Sequence, residues 1–107
     1  MTKVYAVAEQ LLLIEREIRV LNLWQEVPPS EWALASDAPF GVDRLTFSEW
    51  LQWVFLPRMK QLIEAGASLP QGSAISAMGE VVYRESLDEK RALISALKAM
   101  DILLGEP

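Results

Sequence analysis

The chain has 107 residues, of which 51% are hydrophobic, and a formal net charge of −5. This length and composition predict a single domain, residues 1–107, that buries a core without metal or disulfide support. Cysteine and histidine are absent, which excludes disulfides, Cys/His zinc sites and serine–histidine catalysis. Magnesium binding by carboxylates remains open, but no suitable cluster appears, so we expect no metal site and no cofactor. The absence of cysteine fits a cytoplasmic protein. The acidic charge argues against direct binding of nucleic acid, and no apolar run approaches the roughly 20 residues that span a membrane.

The first predicted helix covers residues 3–23. Apolar residues recur there at alternating spacings of three and four, at Val4, Val7, Leu11, Ile14, Ile18 and Leu21. This seam favours packing within a helical bundle. A homodimeric coiled coil is the alternative, although three heptads are near the lower limit for one. Leu12, Leu13 and Val20 form a second apolar strip, which a further neighbour has to cover.

Residues 24–44 predict an ordered strap over the bundle rather than a flexible linker. Pro28 and Pro29 stop the chain, Ser30 is a suitable helix cap, and residues 31–35 predict one helical turn. The strap carries enough apolar surface to pack down, in Trp24, Trp32, Leu34 and Phe40.

The second predicted helix, residues 46–65, has a marked start and end. Thr46 and Glu49 have the spacing of a capping box, and Gly66 suits the left-handed residue that ends a helix. Pro57 lacks an amide hydrogen and its ring clashes with the carbonyl four residues back, so we expect a kink near Trp53. Such a bend either wraps the helix around the core or shapes a groove for a partner.

Two further helices are predicted, at residues 74–84 and 87–104, and the second has an apolar seam of Leu93, Leu97, Met100 and Leu104. The two could instead form one helix, but Ser86 and Glu89 have the spacing of a second capping box, which favours a break between them. Gly79 either weakens the third helix or marks a close approach of another helix. With no strand pattern anywhere, the sequence predicts an all-α bundle of about four helices.

The chain has four aspartates that are candidate nucleophiles, Asp37, Asp43, Asp88 and Asp101. The first two lie in turn-rich sequence, the third in the first turn of a helix and the fourth near a helix end. Each position has a sufficient structural explanation, so we expect no catalytic residue.

Two stretches carry a family resemblance. One is the proline-containing Pro39-Phe40-Gly41-Val42-Asp43, and the other is the tryptophan-rich Trp50-Leu51-Gln52-Trp53-Val54-Phe55-Leu56-Pro57-Arg58-Met59. On these residues the chain resembles the YqcC-like family of small bacterial helical proteins. The resemblance extends over nearly the whole chain and implies a cytoplasmic all-α bundle without an assigned biochemical activity. It also implies a link to tRNA pseudouridine synthase C, because genes of the family often neighbour the gene of that enzyme.

These observations predict a non-catalytic protein-interaction module rather than an enzyme. Its expected partner is tRNA pseudouridine synthase C. The alternative is a small-molecule-binding helical domain with a pocket between the strap and the kinked helix. Tryptophan and arginine are enriched at binding interfaces, and the candidate partner or ligand surface consists of Trp24, Trp32, Phe40, Trp53, Pro57, Arg58 and Lys60.

Overall fold

The structure is a computed structural model that describes residues 2–106, and it contains helices and no strand over that range. In chain order the helices are α1 (Thr2–Val20), α2 (Glu31–Leu34), α3 (Phe47–Trp50), α4 (Leu56–Glu64), α5 (Ile75–Val82) and α6 (Leu87–Gly105). A 3-10 turn at Pro39–Gly41 lies in the strap, and a π-helical turn at Leu51–Phe55 joins α3 to α4. This arrangement confirms the all-α prediction. Over residues 2–106, no helix combines the length and the apolar character needed to cross a membrane.

The core is built on the packing of α1 against α6. The predicted seams of both helices are largely buried. Val4 and Leu21, at the two ends of the α1 seam, are half-buried, and the other members are almost fully buried, namely Val7, Leu11, Ile14, Ile18, Leu93, Leu97, Met100 and Leu104. Since α6 of the same chain occupies the α1 seam, the bundle interpretation is confirmed and a coiled-coil dimer built on that seam is excluded.

Helix α1 ends at Val20, three residues before the predicted end. Asn22 adopts a left-handed conformation with φ of 59°. The Leu23 amide donates to the Ile18 carbonyl at 3.0 Å, and the Asn22 amide donates to the Arg19 carbonyl at 3.0 Å. This is the hydrogen-bond pattern of a glycine-type helix stop, with asparagine in the glycine position. The chain therefore leaves α1 early and turns into the strap.

The long helix over residues 47–64, called the central helix below, has the predicted start and end. The Thr46 side chain accepts from the Glu49 amide and the Glu49 carboxylate accepts from the Thr46 amide, so the capping box is present. At the other end Gly66 has φ of 65°. The Ala67 amide donates to the Leu62 carbonyl at 2.9 Å.

The irregularity expected at Pro57 takes the form of a wide turn just before it. Within the π-helical turn the Leu56 amide donates to the Leu51 carbonyl, five residues back instead of four. Pro57 consequently lies in the first turn of the following helical segment. A proline is tolerated there, because an amide hydrogen at that position has no partner within the segment.

Helices α5 and α6 are separate, as predicted, but the predicted Ser86 cap is wrong. The Ser86 side chain accepts no hydrogen bond from the first turn of α6; it accepts one from Lys90 Nζ instead, at 3.4 Å. The break comes from a tight turn, in which the Ser86 amide donates to the Tyr83 carbonyl at 2.8 Å.

Gly79 marks a close approach between α5 and its neighbours. A Cβ atom at this position would lie 3.2 Å from Leu97 Cδ1 and 3.4 Å from the Phe47 ring. Because Leu97 is fully buried, the missing side chain lets α5 pack closely on α6.

Candidate functional site

Four of the predicted surface residues meet in one cleft. Trp24, Trp53, Pro57 and Lys60 line a volume of about 370 Å³ between the start of the strap and the central helix. We call this the tryptophan cleft. Trp24, Trp53 and Pro57 are half-buried, and Lys60 is exposed at the edge.

The wall of the tryptophan cleft is fixed by a two-way contact between Gln52 and the strap. The backbone amide of Gln25 donates to Gln52 Oε1 at 2.8 Å, and Gln52 Nε2 donates to the backbone carbonyl of Gln25 at 2.7 Å. Gln52 is the buried polar residue of the π-helical turn. Its side chain thus satisfies both polar backbone groups of Gln25, much as a paired strand would.

The Gln25 side chain extends this contact to two more residues of the central helix. Its Nε2 donates to Glu49 Oε2 at 3.0 Å, and its Oε1 accepts from Trp53 Nε1 at 3.1 Å. The Thr46 backbone amide, followed by the Gln25 side chain, lowers the pKa of the Glu49 carboxyl below its usual value. Glu49 therefore remains an anionic acceptor that anchors Gln25, and Gln25 in turn orients the Trp53 ring.

Charged groups of both signs lie at the outer edge of the cleft, where Glu26 and Lys60 line it. The Arg19 guanidinium lies 4.2 Å from the centroid of the Trp24 ring, a cation–π geometry. Glu15 bridges Arg19 at 3.0 Å and Lys60 at 3.6 Å. Two cations therefore share a single carboxylate at this edge.

Trp32 lies outside the tryptophan cleft. Its side chain is largely exposed on the outer surface of the strap. The Arg44 guanidinium covers its ring at 4.4 Å from the centroid, and Arg44 also donates to the Trp32 carbonyl at 2.7 Å.

The other two predicted surface residues, Phe40 and Arg58, line a second cavity of about 370 Å³. This strap cavity lies between residues 34–41 and the central helix, where the small-molecule alternative expected a pocket. Arg58 and Lys60 lie two residues apart on α4 and so face different clefts, which separates the predicted basic pair. The inner end of the strap cavity is formed by Trp50.

Phe40 and Trp50 belong to an aromatic cluster that supports the strap. Their ring centroids lie 5.0 Å apart in an edge-to-face geometry. Trp50 also stacks on Phe47 at 6.3 Å and on Phe55 at 5.6 Å. Trp50 is half-buried rather than fully buried, and its place within the cluster agrees with a structural role.

Three of the four aspartates are engaged in structural hydrogen bonds. Asp101 caps α5 from outside the helix, because its carboxylate accepts from the Ile75 amide at 3.1 Å and the Ser76 amide at 3.0 Å. Asp43 accepts from Ser36, and Asp88 accepts from Arg91 on the exposed first turn of α6. Within residues 2–106 no group of three acidic side chains is placed to hold a metal ion.

Sequence reasoning did not identify Gln25 and Gln52 as parts of the site. The two residues are 27 positions apart, so no local rule connects them. A weak signal for Gln52 existed, because it interrupts the apolar stretch Trp50-Leu51-Gln52-Trp53-Val54 in a predicted helix interior. Buried polar residues at such positions require a partner.

The fold and the two clefts define a small all-α protein with aromatic surface clefts. Residues 6–103 match the protein family described as tRNA pseudouridine synthase C, and the chain belongs to that family. A solution NMR structure of the protein YqcC from E. coli superposes with a TM-score of 0.87 at 28% sequence identity, over 99% of this chain and 91% of that one. The YqcC-like resemblance is thereby confirmed.

Sequence relatives include short proteins and one much longer one. An uncharacterized protein of Haemophilus influenzae is 40% identical over 95 residues, which is 89% of each chain. A protein of Pectobacterium carotovorum named tRNA pseudouridine synthase C is 45% identical over 71 residues. Those residues are 66% of this chain but 19% of the Pectobacterium protein.

Proposed function

We propose that this chain is a non-catalytic module that binds tRNA pseudouridine synthase C and serves as its accessory protein. The proposal rests on the similarity to the Pectobacterium protein that is named tRNA pseudouridine synthase C. The segment that matches this chain forms 19% of that protein. The Haemophilus relative has the same segment in a chain of similar length to this one. We infer that the module occurs both joined to the enzyme and as a separate chain, and that the separate form binds the enzyme.

The tryptophan cleft is the proposed docking site. Trp24 and Trp53 present large aromatic surface that is half-buried and already oriented. Tryptophan and arginine are enriched among the residues that contribute most to binding energy. A side chain held in place before binding loses little conformational entropy on association, which favours affinity.

A non-catalytic role in the cytoplasm is supported by composition and by hydrogen bonding. The chain has neither histidine nor cysteine, and Asp43, Asp88 and Asp101 each hold a local structural contact. The net charge of −5 disfavours approach to RNA but favours approach to a basic RNA-handling enzyme. We therefore expect the chain to bind the enzyme and not isolated tRNA at physiological salt.

Isothermal titration calorimetry with the purified enzyme of the same organism tests the proposal. We expect saturable binding that Trp53→Ala weakens at least tenfold, because a central interface tryptophan typically contributes 2 kcal/mol or more. Trp32→Ala removes an exposed tryptophan from outside the cleft and should leave the affinity unchanged. Circular dichroism verifies that both variants are folded.

Two results would contradict this function. In the first, the chain gives no binding heat with the enzyme but shifts the mobility of tRNA by itself. This result would reject both the proposed partner and the expectation that the chain does not bind RNA. Equal affinity of the wild type and Trp53→Ala would remove the tryptophan cleft from the interface.

The strap cavity supports a second function, small-molecule binding. Its volume of about 370 Å³ falls within the range of roughly 300–1,000 Å³ typical of ligand pockets. Asp37 and Arg58 give it one group of each charge. A thermal-shift screen of charged metabolites tests this function, and stabilisation that disappears in Arg58→Ala would favour it over protein docking.

A further inference from the structure

The outer face of α1 carries an exposed stripe that no element within residues 2–106 covers. Its members lie on one side of the helix at spacings of four, three, one, three and four residues, namely Tyr5, Glu9, Leu12, Leu13, Arg16 and Val20. All six side chains are exposed. We call this set the outer stripe; it lies opposite the seam that packs on α6.

The outer stripe is self-complementary when two copies run antiparallel. Read from either end of the helix, its residues follow the same sequence of types: apolar, charged, apolar, apolar, charged, apolar. The two charged residues have opposite signs. With a two-fold axis between Leu12 and Leu13, Glu9 of one copy faces Arg16 of the other, and the same pair forms again across the axis. Tyr5 of each copy then meets Val20 of the second copy. A parallel arrangement would place like charges together, which is unfavourable.

The two charged residues of the stripe are available for this pairing. Neither Glu9 nor Arg16 takes part in any of the ion pairs formed within residues 2–106. Single exposed apolar residues are common on soluble proteins. Four of them on one helix face, with charges of opposite sign between them that form no ion pair in the described part of the chain, favour packing against a matching surface.

We propose that a second copy of this chain packs antiparallel on the outer stripe and forms a two-fold symmetric dimer. The proposal is independent of the tryptophan cleft and of the proposed function. From Tyr5 to Val20 the stripe runs roughly 24 Å, at 1.5 Å per residue, on a helix about 10 Å wide. An interface of this size lies well below the roughly 1,200 Å² that specific stable interfaces bury. The dimer is therefore weak.

Sedimentation equilibrium of the full chain between about 10 μM and 1 mM tests the dimer. Variants that reverse the charge at Glu9, at Arg16 or at both positions test the specific pairing. Glu9→Arg alone, or Arg16→Glu alone, converts both cross-axis pairs into like-charge pairs and should weaken the dimer at least tenfold. The double variant restores opposite charges and should restore the dimer. A mixture of the two single variants should form a heterodimer, because every facing pair is then again of opposite sign.

The apolar part of the stripe has a matched control. Leu12 and Ile102 are equally exposed, at 62% and 63%, but Ile102 lies on α6, outside the stripe. Leu12→Gln should weaken the dimer, while Ile102→Gln should leave it unchanged. Both positions are on the surface, so both variants should fold normally, as circular dichroism will show.

Three outcomes would overturn the proposal. One is a chain that is monomeric throughout the concentration range. Another is a dimer that neither single charge variant weakens, or that the charge swap does not restore. The third is a monomer in which hydrogen exchange of the α1 amides slows further when tRNA pseudouridine synthase C is added, which would assign the outer stripe to that enzyme.

Discussion

Replacing Gln52 with leucine tests how the strap is held on the central helix. Leucine fills a similar volume but can neither accept from the backbone amide of Gln25 nor donate to its backbone carbonyl. Each buried polar group left without a partner costs about 1–3 kcal/mol. Because Gln25 is half-buried, water compensates in part, and we expect a loss of about 2–4 kcal/mol in the free energy of unfolding. That is a large share of the roughly 5–15 kcal/mol by which such domains are stable.

The measurement is urea unfolding followed by far-ultraviolet circular dichroism. This probe is preferable to tryptophan fluorescence, since Trp53 lies within the same contact. Gln61→Leu on the exposed side of α4 is the control and should change stability by less than about 0.5 kcal/mol. Hydrogen exchange should also become faster at the Gln25 amide. If Gln52→Leu is as stable as the control, the contact does not fix the strap and this reasoning is wrong.

Three further predictions concern stability. Glu49→Gln should destabilise the protein at neutral pH; because the pKa of Glu49 is lowered in the folded state, its contribution is complete above its unfolded pKa of about 4.3 and is lost as the pH falls through the folded value. Gly79→Ala should cost about 1 kcal/mol, because crowding of the buried Leu97 side chain at 3.2 Å outweighs the gain in helix propensity. Trp50→Ala should cost about 3 kcal/mol, at the low end for a large aromatic residue, because Trp50 is half-buried.

Each of these predictions has its own check. For Glu49, urea midpoints of wild type and Glu49→Gln should converge as the pH falls through the lowered pKa of Glu49, and a constant difference between them at every pH would be inconsistent with the lowered pKa. For Gly79, the control is Gly105→Ala, where no atom lies within 4 Å of the added Cβ; a stabilising Gly79→Ala would show that α5 and α6 are not in tight contact. For Trp50, a loss below about 0.5 kcal/mol would mean that the aromatic cluster does not support the strap.

The sequence by itself determined the elements whose signals are local. The Thr46–Glu49 capping box and Gly66 delimit the central helix because their hydrogen bonds join residues only three to five positions apart. The buried stripes of α1 and α6 were predicted for a similar reason, since helical periodicity alone determines which side chains share a face. The cleft residues of the strap and central helix were also identified, but only as one undivided surface.

Tertiary structure decided which of these residues meet. The Gln25–Gln52 contact spans 27 residues, and the Asp101 cap of α5 spans about as many. Such hydrogen bonds depend on how helices pack, which no short stretch of sequence encodes. The same packing divided the predicted surface between two clefts and left Ser86 without its predicted capping role. Local signals thus set the start and end of the central helix. Partners distant in sequence set the start of α5 and the geometry of the candidate site, because a buried polar group binds whichever partner the packed fold brings to it.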